Sequence, residues 1–152
     1  MKKFKFSLDA LLTTKQAQEK QLRKELAQIQ ALMLDLKSER QAHKAAIDHL
    51  IAARADLLRQ GSHAVALQQF QLTYLQLAEK LEQSDRQIEK KERELGECRE
   101  KLVAQMSEIK GLEKLETQQF LEHQQEKARL DEAEINDLVS YRTTMAVEGR
   151  YL

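Results

Sequence analysis

Gln60-Gly61-Ser62-His63 is the one place in the first 110 residues where two helix-breaking signals coincide. Gly61 can take the left-handed conformation that closes a helix, and Ser62 can accept from backbone N–H groups at the start of the next. That pair describes the short connection of an αα-hairpin. Outward from it, apolar residues recur in alternating steps of three and four. Before the turn the track runs Leu22, Leu26, Ile29, Met33, Leu36, Arg40, His43, Ile47, Leu50, Arg54, Leu57. After it come Leu67, Phe70, Tyr74, Leu77, Leu81, Ser84, Ile88, Lys91, Leu95, Cys98, Leu102, Gln105, Ile109 and Leu112. Steps of this kind are the a/d seam of a coiled coil.

The two seams match when partners are placed symmetrically about residue 62: Leu57 meets Leu67, Leu50 meets Tyr74, Leu36 meets Ile88, Leu22 meets Leu102 and Leu12 meets Leu112. A three-four track is symmetric under reversal, so the match alone says little. Its phase says more, because the centre falls on the breaker pair. The sequence therefore predicts an all-α fold, an antiparallel two-helix coiled-coil hairpin with the left-handed supercoil that a seven-residue repeat imposes.

Composition agrees with a rod rather than a globule. Proline and tryptophan are absent, glycine occurs four times and 33% of residues are charged, the profile of long helices. With 25 basic and 25 acidic residues the formal charge is zero, which argues against a nucleic-acid or acidic-membrane binder. No apolar run is long enough for direct membrane insertion, and the N-terminus has no signal-peptide core. One cysteine fits a reducing compartment.

Along the chain, Ser7 is the expected N-cap with Asp9 in the first turn. The expected organisation is one elongated domain spanning 1–152: helix one over about 8–60, a turn over 61–66, helix two over about 67–143 and a frayed tail over 144–152. If Leu12 sits near Leu112, helix two runs out of partner near residue 116 and projects beyond helix one. The apolar residues that follow, Leu115, Phe120, Leu121, Leu130 and Leu138, keep no regular step. Charge separates at this open end. Residues 1–25 hold seven basic and three acidic side chains, whereas residues 113–142 hold four basic and eight acidic. Mutual compensation on a solvated surface is the preferred explanation of that pattern, since exposed pairs contribute little; a charged docking end for a partner is the other.

Chemistry is scarce. His43, His49, His63 and His123 include no i,i+4 pair, so no metal site is expected. His43, Arg40 and Arg54 read as polar layers that fix register, and Cys98 as a small core side chain. No cofactor-binding turn is present, and the solvated carboxylates lack a water-excluded pocket that would tune them for catalysis. An enzyme is not expected. Phe70 and Tyr74 are large for a two-helix seam and are expected to be only partly covered, which makes them, with Leu77, interface candidates near the turn.

Phe4-Lys5-Phe6-x-Leu8-x-x-Leu11-Leu12, the Phe70, Tyr74, Leu77, Leu81 stretch and Glu126-Lys127-x-x-Leu130-Asp131-Glu132 together resemble the flagellar export protein FliJ family and its type III secretion stalk relatives. Lys15 departs from the arginine that many members carry a little downstream of the leucine pair. The resemblance implies a non-enzymatic component of the flagellar type III export apparatus, cytoplasmic and held at the inner membrane through that apparatus. Its implied partners are the export ATPase hexamer, the cytoplasmic domain of the export gate and export chaperones. On that basis Phe70, Tyr74 and Leu77 are expected to meet the gate. Phe4, Phe6, Phe120, Leu121, Arg129, Asp131 and Glu132 are expected to meet the ATPase. Two other readings of the rod stay open, a coiled-coil holdase chaperone and a self-associating structural coiled coil.

Overall fold

The computed structural model describes residues 2–61 and 64–150. It contains two helices, α1 (Asp9–Arg59) and α2 (Ala64–Arg150), which pack against each other as a helical hairpin, with no strand among the described residues. Gly61 takes φ +74°, and the Gln60 and Gly61 amides donate to the carbonyls of Asp56 and Leu58, so α1 closes where the breaker pair predicts. Only glycine holds that φ without strain. The expected cap by Ser62 lies outside the described residues.

Two boundaries differ from expectation. At the N-terminus the first helical carbonyl acceptor is that of Leu8, entered through an Asp9-to-Phe6 turn, one residue later than a Ser7 cap would place it. At the other end α2 starts at Ala64 rather than about 67 and continues to Arg150, so no frayed tail begins at 144. The Thr143 and Thr144 hydroxyls donate back to the Val139 and Ser140 carbonyls, which keeps these residues compatible with helix. No proline interrupts the last turns.

The chain divides into two compact units. The turn unit, Glu19–Ala104, holds the hairpin connection and most of the seam. Ser84, Met33, Phe70, Ile88, Leu95, Cys98 and Leu102 are buried there, and every other seam residue except Arg40 and Arg54 is half-buried. Arg54 sets its guanidinium 5.1 Å over the Phe70 ring, a partner pair symmetric about residue 62. Arg40 reaches Asp85, beside the buried Ser84, and the Cys98 thiol points 3.6 Å from the Leu22 carbonyl. These contacts run in opposite directions along the two helices, which establishes the antiparallel pairing.

The terminal unit, Met1–Gln18 with Gln105–Leu152, is built differently. Its core is Phe6, Leu12 and Ile109, with Phe4, Leu8, Leu112 and Leu115 packed round it. Gln105 fixes the register by donating from one amide nitrogen to the Lys15 carbonyl at 3.1 Å and the Gln18 side chain at 2.8 Å. Lys15, on the adjacent turn, pairs with Glu108 at 2.6 Å. No large side chain among the described residues is completely buried, as expected where each helix shields only one stripe of the other.

Candidate functional site

Beyond the start of α1, residues 2–8 do not fold into helix; they form a strap along α2. Phe4 meets Phe120 edge-on, with ring centres 5.3 Å apart and an interplanar angle of 73°, and leans on His123 at 5.5 Å. An edge-to-face aromatic pair adds about 0.5–1.5 kcal/mol beyond its buried area. The His123 ring nitrogen Nε2 lies 3.1 Å from the Lys2 carbonyl, which can only accept, so that nitrogen carries the proton. Lys2, Lys3 and Lys5 line one wall of a shallow cleft whose other wall includes Glu122 and Glu126. The expected end of cover near residue 116 is therefore too early. The strap extends it to His123 because Phe4 and Phe6, alternating with lysines, put their rings on α2 and their charges outside.

From Gln124 to Arg150 every residue of α2 is exposed. Of the residues expected to form an ATPase-facing end, the structure brings Phe4 and Phe120 together and leaves Phe120 and Leu121 exposed at 43% and 55%. Phe6 is corrected: at 8% exposure it belongs to the core, because it closes the gap over Leu12 and Ile109. Arg129 donates to Glu126 at 2.7 Å, and this hydrogen bond, reinforced by the charge, holds the Glu126 carboxyl below its ordinary range and raises the arginine. Asp131 and Glu132 stand in solvent, without an ion pair among the described residues.

Near the turn the expectation fails for one residue, and the exposed apolar side chains lie off the seam. Phe70 is 7% exposed and so cannot be a free contact surface; Arg54 covers one face and Tyr74 stacks at 6.3 Å. Tyr74 and Leu77 are half-buried. The exposed apolar side chains in this unit are Ile51, Leu58, Val65, Leu72 and Leu75, among others. Their signal was present in the sequence. They are apolar residues off the three-four track, and a residue off the seam of a two-helix pair has nothing to bury against.

A family profile described as "Flagellar FliJ protein" matches residues 4–145, from the strap through the exposed reach of α2. The chain belongs to the FliJ family. That membership gives it a role connected with flagellar export, and the family is a non-enzymatic, cytoplasmic component of that system. No curated protein and no solved structure matches the chain. Among the described residues no helix is long and apolar enough to cross a membrane, and no cluster of His, Cys, Asp and Glu side chains could hold a metal.

Proposed function

We propose that the chain is a stalk of the flagellar export apparatus that couples the export ATPase hexamer to the cytoplasmic domain of the export gate, working in the cytoplasm beside the inner membrane. The observation that carries this reading is the last part of α2, a helix kept exposed on all sides after the strap ends. A helix docked for good would carry a continuous apolar stripe in phase with the seam. Apolar residues broken up by charges, as here, make contacts that are weak, salt-sensitive and able to re-form in several orientations inside a ring. Phe120, Leu121, Asp131 and Glu132 supply that surface, with Arg129 held in its pair to Glu126. The gate meets the turn unit through Leu72 and Leu75, with the accessible edges of Tyr74 and Leu77. Chaperone escort uses the same exposed faces.

The test is ATPase stimulation by a chain truncated after Gln124. That cut spares Leu115, Phe120 and His123, which hold the strap. Loss of stimulation with helicity of the remainder retained is the expected result. Full stimulation by the truncated chain would place the ATPase contact outside residues 125–152. A holdase reading draws on Leu58 and Val65, both exposed beside the turn. Suppression of aggregation of an unfolded client that disappears on changing both to serine would favour it.

A further inference from the structure

The exposed reach of α2 carries an apolar stripe that is not a continuation of the hairpin seam. Ala128, Asp131, Ile135, Leu138, Arg142 and Met145 follow steps of three and four and share one face. At about 100° per residue that face is centred about a quarter of a turn round the helix from the one His123 presents to the strap. Whatever covers the stripe can therefore sit on α2 without displacing Phe4. Ile135, Leu138 and Met145 are 60%, 59% and 51% exposed.

The stripe has one anion and one cation, and their positions say what fits it. In an antiparallel pair of helices an a residue of one packs in the layer of a d residue of the other. When the stripe is laid against a second copy of itself, symmetric about the point between Asn136 and Asp137, Ile135 meets Leu138, Ala128 meets Met145 and Asp131 meets Arg142. Twofold symmetry produces each of these layers twice. On the flank, Lys127 comes beside Glu148. In the parallel alternative Asp131 meets Asp131 and Arg142 meets Arg142, and both layers repel. Among the described residues neither Asp131 nor Arg142 has an ion-pair partner within its own chain. We infer that residues 124–150 of α2 form an antiparallel homodimer with the same segment of a second copy, with the two Asp131–Arg142 layers selecting its direction.

The dimer is weak and reversible. It offers three large apolar side chains per copy, and lost rotational and translational freedom costs about 4–15 kcal/mol on association. It also covers Asp131, so a paired chain withholds that end of α2 from other partners.

The experiment is sedimentation velocity of the full chain over a dilution series, with no other protein present, so its outcome is independent of the stalk reading. The expected result is a monomer–dimer equilibrium. Asp131→Arg and Arg142→Asp each place like charges in both ionic layers, and each weakens the dimer by about tenfold or more, equivalent to about 1.4 kcal/mol. An equimolar mixture of the two variants recovers wild-type affinity. Both positions are exposed, and circular dichroism at 222 nm confirms unchanged helicity. Direction is read in a Cys98→Ser background: an equimolar mixture of a chain with Ile135→Cys and a chain with Leu138→Cys forms the mixed disulfide in clearly more than the twofold excess over either homodisulfide that random pairing gives. A wild-type chain that stays monomeric at every concentration overturns the proposal. So does a dimer indifferent to both charge variants, or an association that appears only when the export ATPase is added.

Discussion

Residues 105–123 and 124–150 belong to the same unit and the same helix, and both contain large apolar side chains. In the first stretch Ile109 is buried at 5%, and Leu112, Leu115 and His123 are partly covered; in the second nothing is covered. The difference teaches that being a helix and having a partner are encoded separately. Helicity comes from good helix formers and the absence of proline, and it persists to Arg150. Burial comes from phase. The same lesson appears between neighbours in the turn unit, where Leu102 on the seam is 9% exposed and Val103 beside it 67%.

The largest effects separate covered from uncovered positions. Ile109→Ala or Leu12→Ala removes a side chain that is 5% exposed and is expected to cost about 2–4 kcal/mol in urea unfolding, whereas Leu138→Ala stays within about 0.5 kcal/mol. A comparable loss at Leu138 in the dilute, monomeric chain would show that the uncovered reach packs on something in its own chain. Near the turn the same contrast is sharper in function. Phe70→Ala should lower the melting temperature markedly, while Leu72→Ala should leave it in place and weaken binding to the gate's cytoplasmic domain. If Leu72→Ala binds normally, the off-seam residues are not the gate surface.

Gly61→Ala tests the connection itself. An added methyl meets nothing within 4 Å, so the whole cost is the strain of φ +74° in an L residue, about 1–2 kcal/mol in the melting curve. The smallest effect is electrostatic. Glu126 and Glu94 have carboxyls held below their ordinary range, chiefly by hydrogen bonds from Arg129 and Lys91. A depressed carboxylate contributes stability above its unfolded pKa and loses it as pH falls through the folded one. Helicity measured by circular dichroism should therefore dip slightly between pH 7 and about pH 3, less so in high salt, because the Arg129–Glu126 pair is solvent-exposed and the Lys91–Glu94 pair only half-buried. No dip at low salt would mean that these pairs do nothing for the helix.

Much of this was legible beforehand, and the particular failures have physical causes. The seam was readable because a two-helix pair leaves one stripe per helix, so the three-four track and the buried positions are the same residues. Gly61 was readable because so little else in the first part of the chain breaks a helix. The strap was not, since a non-helical segment carries no period; only the alternation of Phe4 and Phe6 with lysines hinted at one face turned inward. Phe70 differs from its expectation because ring size alone does not reveal Arg54, whose guanidinium closes over the ring. Leu72 and Leu75 carry no seam signal, because they lie off the three-four track; such exposed residues are those left when the seam is subtracted.

The most direct test of the account is amide hydrogen exchange along α2, measured on the dilute full chain with and without the export ATPase. Alone, residues 105–123 should exchange slowly and residues 124–150 fast, because a helix of that length without a packed face is marginal in water. With the ATPase present, protection should rise within the second stretch and leave the covered part of the first, around Ile109 and Leu112, unchanged. Equal protection of both stretches in the dilute chain alone, or no change in the second on adding the ATPase, would contradict the account.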